Sequence, residues 1–205
     1  MTLFSCESGL YYFSHIPKSG GSTVEFALRK AGAKRALHYH KKLDYLQCNL
    51  QHMHAELFDT FVPPQFYRKG FCVVRHPMSR LVSEYFWRDS LGHVHAKFDT
   101  WVNKRLREYQ KNNYILDNHF RPQHEFVGKK IDVLRFENGM ENILKDISEM
   151  TGLKLALDTH RRKNAEKSDL IWTEQTRAKV TNFYRKDFDR FGYAPDAEIK
   201  YLQTK

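Results

Sequence analysis

Residues 15–28 read "HIPKSGGSTVEFAL". An apolar run, "GLYYFSHI" (9–16), leads into this stretch, and Pro17 and Lys18 end it. Val24, Ala27, Leu28 and Ala31 then recur at helical spacing. The local order is therefore strand, small-residue turn, helix. Gly20 and Gly21 let a ligand approach the backbone closely. Ser22 and Thr23 offer hydroxyls, and the helix start offers unpaired N–H groups and the positive end of its dipole. The same residues also fit an ordinary strand-to-helix turn with a serine cap. As a phosphate cradle the loop has one peculiarity. In GxxxxGK[ST] the lysine follows the glycines, whereas Lys18 precedes them.

The pattern repeats outward from this loop. "KGFCVVRHP" (69–77) is a second apolar strand, followed by Leu81, Val82, Tyr85 and Phe86 at helical spacing, with Pro77 suited to a first turn. Phe98, Trp101, Val102, Leu106 and Tyr109 mark another helix. "KIDVLRFE" (130–137) is a third strand, with Ile143, Leu144, Ile147 and Met150 on the helix behind it. Thr173 is placed to cap a final helix carrying Val180, Phe183, Tyr184 and Phe188, which Gly192 would stop. Strands alternating with helices predict an α/β fold with a central parallel sheet flanked by helices. At 205 residues the chain is expected to be one domain, 1–205. In such sheets ligands bind beyond the carboxyl ends of the strands, which selects the loops at 15–23 and 75–83.

Composition narrows the partners. With 34 basic and 24 acidic residues the formal net charge is +10, which favours an anionic partner: nucleotide, nucleic acid, acidic glycan or membrane surface. No apolar run is long enough to span a membrane, and "MTLFSCESGL" lacks the basic and apolar regions of a signal peptide. Cys6, Cys48 and Cys72 are widely separated and form no CxxC pair. Reduced thiols, a cytoplasmic setting and no metal site are the expectation. A Golgi location would require this chain to be an excised catalytic domain. Oligomeric state is not legible.

The second loop, "VVRHPMSRLVSEYFW", sets Arg75 at a strand end and Ser83 eight residues on. An arginine there can fork onto a phosphate; each residue alone also fits a solvated arginine and a helix-face serine. Together the two loops resemble the two nucleotide-binding elements of the sulfotransferases, which use 3′-phosphoadenosine 5′-phosphosulfate (PAPS; product PAP). "HIPKSGGST" is similar to the 5′-phosphosulfate loop of the carbohydrate enzymes, and the second stretch to their 3′-phosphate element. The likeness is close over about forty residues and diffuse elsewhere. It implies a P-loop-kinase-like fold. It also implies that Pro17, Lys18, Ser19, Gly20, Gly21, Ser22 and Thr23 hold the 5′ side, with Lys18 at the oxygen bridging phosphate and sulfate. Arg75 and Ser83 would hold the 3′-phosphate. This accounts for the reversed order of lysine and glycines.

Between the loops lies "QHMHAELF" (51–58). A neutral histidine suits proton abstraction from a sugar hydroxyl near pH 7. "MHAEL" is similar to the Leu-His-Ala-Asp setting of the catalytic histidine in heparan 2-O- and 6-O-type sulfotransferases. That likeness makes His54 the expected base, with His52 on the acceptor side and Glu56 as an orienting group. "DNHFRPQHEF" (117–126) resembles the His-aromatic-x-Pro segment of members acting on sugars, which makes His119, Arg121 and Gln123 acceptor contacts and His119 the rival base. The basic stretch "THRRKNAEKS" (159–168) is expected to close the nucleotide site through Arg162 and Lys163, with Arg161 beside them. The reading is thus a PAPS-dependent sulfotransferase acting on a hydroxyl, expected to be a carbohydrate's, with no nucleic-acid partner. Two rivals remain. A metal-dependent P-loop kinase would want GxxxxGK[ST] and an acidic magnesium ligand. A non-catalytic module for acidic glycan or nucleic acid would use only the basic surface.

Overall fold

A computed structural model describes residues 1–38, 43–158 and 168–205. In chain order its elements are β1 (Thr2–Cys6), β2 (Gly9–Ser14), α1 (Gly21–Lys30), β3 (Lys34–Ala36), α2 (Ala55–Phe61), β4 (Lys69–Val74), α3 (Pro77–Asp89), α4 (Phe98–Lys111), β5 (Ile131–Arg135), α5 (Met140–Thr151), β6 (Leu170–Trp172), α6 (Glu174–Phe183), α7 (Arg185–Phe191) and β7 (Leu202–Thr204). Short 3-10 turns lie between several of them. The chain divides into two compact units, 1–75 with 125–162, and 76–124 with 163–205.

The first unit carries a five-stranded sheet in the order β3-β1-β2-β4-β5. β2, β4 and β5 are parallel, with Phe13 opposite Phe71 and Cys72 opposite Val133. This is the predicted parallel centre. Two strands not foreseen extend it: β1 pairs antiparallel with β2 across a two-residue turn, and β3 pairs antiparallel with β1. β2 and β4 are almost wholly buried, as strands covered on both faces must be. Side chains alternate between those faces. Tyr11 and Phe13 meet Val24, Ala27 and Leu28 of α1 and Ile143, Leu144 and Ile147 of α5 in one core. On the opposite face Tyr12 stacks on Phe58 of α2, with ring centroids 3.9 Å apart.

In the second unit, Tyr85 of α3 meets Phe98 and Trp101 of α4 edge-on at 5.1 and 5.4 Å. Thr173 caps α6 as expected, its hydroxyl accepting from the Thr176 N–H, and Gly192 ends α7 in the left-handed conformation. The single final helix of the sequence reading is corrected: α6 and α7 are separate helices that break at Tyr184. The buried Tyr184 ring and its hydroxyl, donating to the Phe120 carbonyl at 2.9 Å, fix the break. β6 and β7 add a small parallel pair. No helix among the described residues is long and apolar enough to cross a membrane.

One buried carboxylate anchors the segment that follows Phe120. Asp187, fully buried in the first turn of α7, accepts from the backbone N–H of Gln123 at 2.7 Å and of His124 at 2.8 Å, and from His124 Nδ1 at 2.7 Å. Asp187→Ala should strand those donors and lower unfolding free energy by about 3 kcal/mol, measured by urea denaturation. A loss within experimental error of zero would contradict the anchoring role.

Candidate functional site

The loop after β2 is held from below and on both sides. Ser14 Oγ donates to the Phe126 carbonyl at 2.7 Å, which fixes the strand end. Lys18 takes a positive φ of 66°, so the chain doubles back before the glycines. Gly20, at φ 86°, stands at the N-cap of α1, and no side chain caps that helix. The Thr23 N–H turns back to the Gly20 carbonyl at 3.0 Å, and the N–H groups of Gly21 and Ser22 have no side-chain cap, the arrangement that suits an anion. A β-carbon at Gly20 would lie 2.5 Å from Met140 Cε, and one at Gly21 would lie 2.6 Å from the His15 imidazole. Gly20 is thus favoured by its left-handed conformation, and Gly21 by the close approach of the His15 ring. Ser19 is buried, Ser22 exposed, Thr23 half-buried and Pro17 buried.

Arg75 leaves the end of β4 and returns to this loop. Its Nη1 donates to the Lys18 carbonyl at 3.3 Å, and its guanidinium lies 4.5 Å from the centroid of the Phe136 ring. The structure therefore brings Lys18, Gly20, Gly21 and Arg75 together. It places His54, also in the first unit, at the N-cap of α2. His54 is 8% exposed, and its carbonyl accepts the Phe58 N–H at 3.0 Å. His52 ends the preceding 3-10 turn, with its ring edge-on to His15 at 5.6 Å. Glu56 is exposed in the first turn of α2.

Beneath the loop is a network that sequence reasoning missed. Glu25, on the buried side of α1, accepts from His15 Nδ1 at 2.9 Å and from Thr2 Oγ1 at 2.9 Å through Oε1, and from Gln51 Nε2 at 2.9 Å through Oε2. Burial alone would push this carboxyl up. The bond and charge of His15, with the Gln51 and Thr2 bonds, outweigh it and hold Glu25 at about 2, below the ordinary 4.5. A glutamate on an otherwise apolar helix face was the available signal. An open cleft beside it is lined by Ser22, Glu25 itself, Phe26, Arg29, Arg35, His38 and Gln51.

In the second unit, Ser83 lies half-buried on α3, and Arg80 and Glu84 of the same helix are buried. Arg80 donates to the carbonyls of His119 at 2.9 Å and Arg121 at 2.7 Å. Glu84 accepts from His119 Nδ1 at 2.7 Å and from Arg88 Nε at 2.5 Å. Burial raises the Glu84 carboxyl, but the His119 charge and bond and those of Arg88 bring it down to about 2. The Trp87 ring stacks on the His119 ring at 5.1 Å. The Glu84 contact at Nδ1 fixes the orientation of the His119 ring, which is the way a carboxylate positions an imidazole in a catalytic pair. Arg121 spends its guanidinium on Asn118 Oδ1 at 3.0 Å and the Asn113 carbonyl at 3.3 Å, over the Tyr114 ring. Gln123 is fully buried. Leu116, Asp117 and Asn118 all take positive φ, so this turn departs from ordinary backbone for three residues in succession. Arg161, Arg162 and Lys163 lie outside the described residues.

Comparison with known proteins identifies the family. A profile described as "Sulfotransferase family" matches residues 3–194. A crystal structure of a sulfotransferase from Alicyclobacillus acidocaldarius is similar at 16% identity and a TM-score of 0.36, over 64% of this chain and 56% of that one. The chain therefore spans little more than half the length of that relative. No curated protein matches.

Glu25 and Glu84 both ionise at lower pH in the folded chain than the ordinary 4.5. Their stabilisation is complete above about pH 4.5 and is lost as the pH falls towards 2. The urea midpoint should drop steeply across that window. Glu84→Gln, which cannot titrate, should give a shallower drop; parallel slopes for the variant and the native chain would refute this.

Proposed function

The chain belongs to the sulfotransferase family, and on that premise we propose that it transfers a sulfuryl group from PAPS to a hydroxyl of a carbohydrate by in-line displacement. The family's donor is PAPS, which supplies a sulfuryl group already activated by its anhydride link to phosphate. The single observation that carries the reading is the Arg75 guanidinium bonded to the Lys18 carbonyl beside an uncapped, glycine-led helix start. The two sequence elements of the donor site thus meet where backbone N–H groups are available.

In this reading residues 17–23 hold the 5′ side of the nucleotide. Lys18 offsets the charge that develops on the bridging oxygen, and Arg75 with Ser83 takes the 3′-phosphate. Arg162 and Lys163 close over the nucleotide. His54 takes the acceptor's hydroxyl proton, which calls for a neutral imidazole within hydrogen-bond reach. Catalysis then rests on position and preorganised charge more than on covalent chemistry. His52 and His119 contact the acceptor, and Arg121 and Gln123 brace the turn that presents His119. The cleft lined by Arg29 and Arg35 supports a carbohydrate acceptor carrying acidic groups. The family match runs across both compact units, which supports their acting as one sulfotransferase domain over 1–205. Three free thiols, two of them buried, support a reducing, cytoplasmic setting.

His54→Ala should lower turnover by at least a thousandfold while the dissociation constant for PAP stays within about threefold, measured by calorimetry and by transfer of labelled sulfate from PAPS to a panel of glycans. Retained turnover would move the base to His119. Chelation of divalent metal with EDTA should leave the rate unchanged. Loss of the rate would favour the kinase-like alternative. No labelled acceptor together with no PAP binding would overturn the function itself.

A further inference from the structure

Among the buried groups that the mechanism leaves unused is the carboxylate of Glu25. It is 4% exposed on a helix whose start is expected to receive an anion. A bare carboxylate there would oppose anion binding, so its presence calls for a reason. Three donors converge on it from three separate stretches of chain: Thr2 of β1, His15 at the mouth of the donor loop, and Gln51 in the segment that leads to His54. Only a group with two acceptor oxygens and no hydrogen of its own satisfies all three. His38 Nδ1 also lies 3.8 Å from Oε2.

Two arms of this arrangement reach functional positions. The first is steric. The His15 ring, held by Glu25, packs so closely on Gly21 that no β-carbon fits between them. The position of the first residue of α1, and of its N–H, is set by that ring. The second runs through Gln51. Its amide is bonded to Glu25, and its backbone lies in the 3-10 turn Leu50–His52, which Asn49 caps and which His54 follows two residues later.

We infer that Glu25 is a positioning residue that locks the donor loop, through His15, and the segment bearing His54, through Gln51, to one helix. The inference rests on the donor-site reading above for its consequence, though the lock itself is a property of the ligand-free chain. With the lock intact, the anion-binding N–H groups and the proposed base keep a common frame, and the charge of Glu25 is spent on its donors rather than on the nucleotide. Positions off by about 1 Å are enough to cost a site of this kind much of its rate.

The test uses the full chain with Glu25→Gln, His15→Gln and Gln51→Leu. Amide hydrogen exchange without ligand reads the lock directly. Glu25→Gln should speed exchange at least tenfold in both 17–23 and 50–56. His15→Gln should do so in 17–23 and, because the His15 ring also meets Gln51 Nε2 at 3.1 Å and the His52 ring edge-on, more weakly in 50–56, whereas Gln51→Leu should do so only in 50–56, with β4 unchanged in all three. PAP titration by calorimetry should show the dissociation constant raised at least tenfold by Glu25→Gln and His15→Gln but within twofold of the native value for Gln51→Leu. Should Glu25→Gln fail to fold, the contrast between the other two carries the test. Unchanged exchange in both segments, or equal effects of His15→Gln and Gln51→Leu in exchange and in binding, would overturn the lock. If the native chain binds no PAP, the donor-site reading fails, and the exchange pattern still decides the lock.

Discussion

A helix that begins without a cap is the constraint from which the rest of the first unit follows. An N-terminal turn normally satisfies its N–H groups with a serine, threonine or aspartate side chain. α1 begins instead after a left-handed Gly20, and its first turn contains no acidic residue. Leaving those donors open means that no side chain may cover them, and a β-carbon at either loop glycine would press on Met140 or on the His15 ring. It also means that the loop needs holding by other means. Arg75 takes the Lys18 carbonyl, Ser14 takes the Phe126 carbonyl, and His15 is pinned by Glu25.

Charge inside the molecule obeys a second rule. The formal excess of +10 belongs to the chain as a whole, yet the buried acids Glu25, Glu84 and Asp187 each sit beside a histidine. Ionised carboxylates can be kept from water only where donors surround them. Each of the three accepts from at least two groups, and at least one of these comes from a distant part of the chain. Such pairing turns a costly burial into a joint between distant segments, and two of the joints reach residues singled out for chemistry, His119 and the approach to His54.

The parallel strands and the helices behind them were legible because burial on both faces writes continuous apolar runs, and burial on one face writes a helical period. β2 and β4, with the helices α1, α3 and α5, are of this kind; β5 is a half-buried edge strand with Val133 exposed, and its apolar run is correspondingly short. β1 and β3 were not legible: β1 is five residues long, β3 is three, and their pairing depends on partners rather than on pattern. The break between α6 and α7 has neither glycine nor proline at Tyr184 to mark it, since a buried ring and a distant carbonyl fix it. In the site, the glycine and hydroxyl residues and Arg75 could be read from local order. Glu25 with His15 and Gln51, and Glu84 with His119, could not, because each joins residues far apart in sequence and only folding brings them into register.

Arg80, Glu84 and Arg88 stand four residues apart on α3 and each holds part of the turn that carries His119. They form a stripe about 12 Å long on one side of a rigid rod. Ser83 rides on the same rod, about 100° round from Glu84. Inserting or deleting a single residue in the middle of α3 would rotate one end of that stripe away from the other and release the turn at several points together. The length of this helix is therefore constrained more tightly than any one of the three side chains, because a shift in register undoes their contacts together.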